Sequence, residues 1–176
     1  MSETVGDDAN VSAAVADWGR EEVQGVWDPG RKLLRAVRRY QRLREKRSPW
    51  ARLVRKYWVL NHWFWSLVTQ SEIHLNTEIG GGLRLTHPTG IIIHPSARIG
   101  PNCMIFQQVT LAGPVVLGGH VDVGAGAKLI APLTVGDHAV IGANAVVTRD
   151  VPPGATVAGI PAKVISEAGP AERTPR

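Results

Sequence analysis

From Ile93 onward the chain places an aliphatic residue at every sixth position: Ile93, Ile99, Ile105, Leu111, Leu117, Val123, Leu129, Val135, Ile141 and Val147. Four residues after each beat stands a second apolar residue, often small: Ala97, Cys103, Val109, Val115, Val121, Ala127, Leu133, Ala139, Ala145 and Val151. Glycine often follows the beat directly, as at Gly100, Gly118, Gly124, Gly136 and Gly142. A period of six fits neither the 3.6-residue turn of a helix nor a long flat strand. It predicts short strands joined by tight corners and stacked coil on coil, a parallel β-helix of hexapeptide repeats. The beats point inward, the small partners let each corner close, and glycine accepts corner torsions that other residues resist. With three hexapeptides to a triangular coil, residues 73–151 supply between four and five coils. Cys103 falls in an inward slot, so it reads as core filler rather than as a nucleophile.

The beat slips once. Leu85 and Ile91 are six apart, and the rhythm then resumes two residues late at Ile93, just after the pair His87-Pro88. Such a slip predicts a bulged corner, and it leaves His87 either as an ordinary exposed corner residue or as a side chain projected on purpose.

Ahead of the repeat the period changes to that of a helix. Leu33, Leu34, Val37, Tyr40 and Leu43 recur at helical spacing, and Pro49 ends that element or starts the next. A second helix carries Trp50, Leu53, Val54, Trp58, Phe64 and Leu67, with Trp63 and Trp65 widening its apolar side. Basic, Trp-rich helices can lie on a membrane. The expectation here is packing on the following domain or on a neighbouring subunit. Four regions result: a flexible acidic N-terminus (1–28), a short basic helical region (29–70), a β-helix domain (71–165) and a flexible tail (166–176).

Charge alters this picture only locally. The formal net charge of +5 is segregated, with acids concentrated before residue 29 and twelve bases against Glu45 alone over residues 31–56. That patch suits nucleic acid or an anionic membrane, or is simply a solvated helix face, and no nucleic-acid partner is expected. One cysteine excludes a disulfide framework, no apolar run is long enough to span a bilayer, and the acidic start lacks the core of a secretory signal. The expected location is the cytoplasm.

The repeat, together with "THPTG", "IFQQVTLAG", "GGHVDVGAGAKL" and the closing "VPPGATVAGIPAKVI", resembles the serine O-acetyltransferases, a branch of the hexapeptide-repeat acyltransferases. The resemblance runs from Glu72 to Ile165. It implies a left-handed β-helix, a homotrimer with active sites between subunits, and direct transfer of acetyl from acetyl-CoA to a hydroxyl, with no metal. It maps the family's essential histidine onto His87. The orienting aspartate, in an Asp-Ile-His segment, maps onto Glu72 of "EIH", fifteen residues earlier and one methylene longer. Coenzyme A is expected along Gly113, Ala125, Gly126 and Ala143, where small residues admit close approach, with Lys128, Arg149 and Lys163 for its phosphates. His74 and His94 are candidates for the acceptor pocket.

The chemistry matches these residue types. A serine hydroxyl attacks a thioester only as a base removes its proton, and an unperturbed imidazole, pKa about 6.5, suits that task. A carboxylate on the other ring nitrogen would fix the tautomer, and a corner N–H near Ala112 or Gly113 would meet the oxyanion. The other histidines rank lower. His120 and His138 are expected to be solvated and His62 structural, and the spacing of His74, His94 and His120 suits a zinc site poorly.

The sequence also departs from the family. Thr86 stands where family members carry an aspartate that holds the substrate amine. "TLAGPVVLGGH" runs through without the loop that meets the substrate carboxylate. A sugar or natural-product hydroxyl is therefore the alternative acceptor. The short helical region points to a trimer rather than a hexamer, and the ending "GPAERTPR" argues against a complex with the next enzyme of cysteine synthesis.

Overall fold

The computed structural model describes residues 11–130 and 132–167. Two helices precede a three-sided parallel β-solenoid of about five coils. One side is a five-stranded sheet that begins at Glu72–Ile73, the second a four-stranded sheet that begins at Glu78–Ile79, and the third a six-stranded sheet that begins at Arg84–Leu85. Every beat and every partner position named above is buried, so one continuous aliphatic column runs along the axis. Each Ile, Leu or Val among them contributes roughly 1.5–3 kcal/mol by leaving water, and the alanines less. The hairpin of Thr156–Gly159 and Ala162–Ser166, antiparallel, closes the last coil.

Strand register measures each coil. Glu72 stands beside Ile92, twenty residues on, whereas Ile92 stands beside Thr110 and Thr110 beside Lys128, eighteen each. The slip at His87 is thus a two-residue insertion confined to the first coil, at its third corner (residues 86–91). Val140 pairs with Thr156, so the last coil has lost two. Cys103 is fully buried, its Sγ donating to Gly118 O at 3.1 Å, and burial pushes the thiol up to about 12.

Helix α1 (Pro29–Arg44) starts on the Asp28 side chain, which accepts from Arg31 N, with Pro29 in the first turn. It buries Leu33, Leu34, Ala36 and Val37. Its first turn presses on the bulged corner: a Cβ on Gly30 would lie 2.9 Å from Leu85 O and 3.2 Å from Pro88 Cγ, so only glycine fits. Helix α2 (Pro49–Thr69) starts at Pro49, capped by Ser48, and ends in left-handed Gln70. Of its side chains only Ala51, Trp65 and Thr69 are buried, so within this chain the expected packing on the β-helix engages one side and leaves the other bare.

Residues 11–28, where a mobile end is expected, are tied to the second corner (80–83 and 100–103). Asn102 accepts from Asp17 N at 2.8 Å and donates to Ser12 O and Val15 O at 2.7 Å. Arg20 donates to Gly82 O, and Glu21 forms an ion pair with Arg38, which also caps Gly80 O. Of the expected tail, residues 168–176 lie outside the described residues; Ser166 belongs to the closing hairpin.

Candidate active site

The bulged corner is held from both neighbouring levels. Ser71 Oγ donates to Pro88 O at 2.9 Å and accepts from Ile91 N at 3.2 Å, while Gly90 N donates to Thr69 O and Gln108 N to Thr89 O. Gly90 has φ +67° and His87 itself φ +49°, a left-handed conformation that a β-carbon tolerates poorly. His87 is exposed, and its side chain makes no hydrogen bond among the described residues. A side chain thus held out on a strained, stapled corner is free to meet something that arrives from outside.

His87 opens on a cleft of about 350 Å³ with Thr86, Arg84, Arg31 and Trp27 among its walls. Arg31 is engaged by Asp28 at 3.2 Å. Arg84, which lies two residues before Thr86 and so on the same outward face of its strand, was not among the residues anticipated from sequence. Its signal, an outward base in step with the corner histidine, was present but indistinct from ordinary surface arginines.

Glu72 lies in a different hollow. It is exposed and shares a cavity of about 450 Å³, beneath α2, with His62, His74, Tyr40 and Trp63. No hydrogen bond joins Glu72 to His87 among the described residues, although Ser71, its neighbour, holds Pro88. His62 Nε2 lies 2.8 Å from Ile73 O, and burial, outweighing that bond, lowers its pKa, which keeps the ring neutral and structural. His74 and His94 follow the paired Ile73 and Ile93 at the first corner, so they stand at successive levels; the 20-residue coil, not an 18-residue one, sets their spacing. His120 lies at the second corner, away from both. Against the expectation of solvated rings, His120 is buried and its Nδ1 is 2.9 Å from His138 Nδ1. One of those nitrogens must donate and the other accept. Among the described residues no three His, Cys, Asp or Glu side chains are grouped to hold a metal.

The residues anticipated for coenzyme A divide between corners. Ala125, Gly126 and Ala143 lie at the third corner, in line above His87. Gly126 has φ +74°, and a Cβ there would come within 2.1 Å of Asn144 Oδ1. Lys128 bonds its amine to Gln108 O beside them. Gly113 (φ +94°) and the exposed Arg149 belong to the first corner, and Lys163 is exposed on the closing hairpin.

This architecture, a stack of hexapeptide coils with a histidine on a bulged corner, defines a hexapeptide-repeat β-helix protein. Comparison with known proteins narrows the class. No family model matches the chain. A serine acetyltransferase of Mycobacterium tuberculosis is 32% identical over 139 residues, 66% of this chain and 61% of the relative. Those of Synechococcus elongatus and Escherichia coli K12 are 40% identical over 111 residues and 36% over 131, covering 58% and 61% of this chain and 46% and 48% of the relatives. A serine acetyltransferase solved in complex with CoA superposes with TM-score 0.67 at 31% identity, over 80% of this chain and 58% of that one. That of Brucella abortus reaches 0.70 at 29% identity, over 82% and 59%. The chain is thus similar to serine acetyltransferases and shares their fold. It spans roughly half to three-fifths of the length of these relatives.

Proposed function

We propose that the chain is an acetyl-CoA-dependent O-acetyltransferase, with L-serine as acceptor and O-acetylserine, a precursor of cysteine, as product. The observation that carries the proposal is the position of His87, exposed on the one over-long corner of a fold shared with serine acetyltransferases. His87 takes the proton from the serine hydroxyl as its oxygen attacks the thioester carbonyl. The tetrahedral intermediate then collapses, the C–S bond breaks, and the imidazolium returns the proton to the departing CoA sulfur. Thr86 and Arg84 face the acceptor from the same cleft.

CoA lies along Ala125, Gly126 and Ala143, where the absence of larger side chains lets its arm approach the backbone. Lys128 stands near its phosphates. Gly113, Arg149, His74 and His94 lie at another corner of this chain, so they reach the site of a neighbouring copy rather than their own. That division is the one a homotrimer with sites between subunits would use, and the proposed location is the cytoplasm. Glu72 orients a histidine only after a side-chain rearrangement or across such an interface, because it occupies a separate hollow.

The test is CoA thiol release from acetyl-CoA with L-serine, with several sugars and with no acceptor. Release that depends on serine is the expected result. Release with sugars alone would retain the acyl transfer and replace the acceptor. Thr86 in place of a carboxylate favours that second reading, since it removes the counter-charge for an ammonium group. No release with any acceptor would end the proposal.

A further inference from the structure

We propose that the outer face of α2 docks the protein onto an anionic lipid surface. Trp50, Leu53, Tyr57, Leu60, Phe64 and Leu67 follow one another at alternating steps of three and four along this 21-residue helix, and all six are exposed. Trp50 is 73% exposed, Leu60 66% and Trp63 64%, so these are bare side chains rather than the margins of a core. So large an apolar face on a helix is not left to water without a partner.

Width and charge together decide which partner. A seam that meets one other helix is a narrow stripe, whereas here Val59, Trp63 and Val68 are exposed as well and extend the face across half the helix circumference. Arg52 and Lys56 are the only charged residues interleaved with it on the exposed side, both toward the helix start, where long cationic side chains can reach past an apolar boundary to headgroups. Neither α1 nor α2 contains an acid, and of the twelve bases over residues 31–56 Arg31 and Arg38 are paired with Asp28 and Glu21, which leaves ten against Glu45. A second copy of the chain would bring the same excess of positive charge to the contact. An anionic leaflet instead gains about fivefold in partitioning for each base near its surface. Tryptophan is the side chain enriched at that interface. Among the described residues no helix is long and apolar enough to cross a membrane, so α2 would lie along the surface, its opposite side retained by Trp65 against Trp27.

Co-sedimentation of the full chain with vesicles of phosphatidylcholine, alone or mixed with phosphatidylglycerol, tests this. Wild type should pellet with the anionic vesicles, less so as salt rises. Arg52→Ser with Lys56→Ser should weaken partitioning about 25-fold. Leu60→Ser with Trp63→Ser should weaken it by at least about tenfold. All four positions face solvent, so both variants should melt as wild type does, and the base variant alone decides if the apolar one does not fold. Equal binding to neutral vesicles, no binding at low salt, or binding unaffected by the folded variants would each overturn the proposal. So would a wild-type assembly, seen by sedimentation velocity, that the apolar substitutions split while vesicles recover nothing; the face would then belong to a second copy.

Discussion

His87→Asn separates a catalytic histidine from a structural one. The backbone there has φ +49°, and asparagine is among the non-glycine residues that best tolerate the left-handed region, so the corner should keep its shape. The His87 side chain is exposed and makes no hydrogen bond among the described residues, so its replacement removes no buried contact. Stability should therefore change by no more than about 0.5 kcal/mol. A general base contributes about 10²–10⁴ in rate, which corresponds to about 2.7–5.4 kcal/mol of transition-state free energy. The amide can still accept a hydrogen bond from the acceptor hydroxyl but cannot take its proton. Loss should therefore appear in kcat rather than in KM. The assay is thiol release with wild type and variant at matched concentration, alongside a thermal melt. A loss below about tenfold with the fold intact would refute the assignment of the base. A matching loss of melting temperature would show instead that His87 holds the corner together.

Two further outcomes follow from the geometry. Gly90→Ala and Gly126→Ala both place a β-carbon at positive φ, at a torsional cost of about 1–2 kcal/mol, but only Gly126 also lacks room: its Cβ would come within 2.1 Å of Asn144 Oδ1, whereas nothing lies closer than 3.7 Å at Gly90. Gly126→Ala should therefore melt lower than Gly90→Ala by more than about 2–4 °C, the shift expected for one further kcal/mol in a chain this long; equal melting temperatures would mean that Asn144 swings aside without cost. For His62, the folded pKa lies below the unfolded value of 6.5, so the unfolded chain binds the extra proton first as pH falls. Its stabilising contribution is complete above about 6.5 and declines below it, so urea midpoints of the wild type should fall from pH 7 to pH 5 more steeply than those of His62→Gln, and parallel curves would refute the assignment.

The repeat was legible because each beat touches the next coil at a fixed chain separation. The same logic made the slip informative: two extra residues keep the inward and outward alternation, which has a period of two, but they lengthen one side of a coil whose strands must stay paired with those of the next, so they collect at a corner. Ser71, Gly90 and Gln108 are what fix them at His87. Cys103 followed from the same register. What periodicity could not reveal is whatever depends on a segment that has none. The polar residues 11–28 dock through Asn102 and Arg20 by hydrogen bonds, with no apolar stripe to announce them. Ala13 passes so close to Gly119 that no β-carbon would fit there, and the neighbouring His120 is buried at a position that a bare solenoid would leave wet.

The separation of Glu72 from His87 has a related cause. A distance of fifteen residues fits a carboxylate–imidazole pair in a resembling family, but it fixes only chain length between them. Side-chain direction is fixed by local backbone, and here one residue begins a strand on the face beneath α2 while the other sits on a left-handed corner facing the start of α1. Pairing the two therefore requires either a side-chain rearrangement or a contact from outside the single chain. If a neighbouring copy brings its first corner, with Gly113 and Arg149, toward His87, the same contact can supply the carboxylate or the oxyanion donor that His87 lacks here. The active site would then be a property of the assembly, and the solenoid's regularity is what would let identical corners meet at the required height.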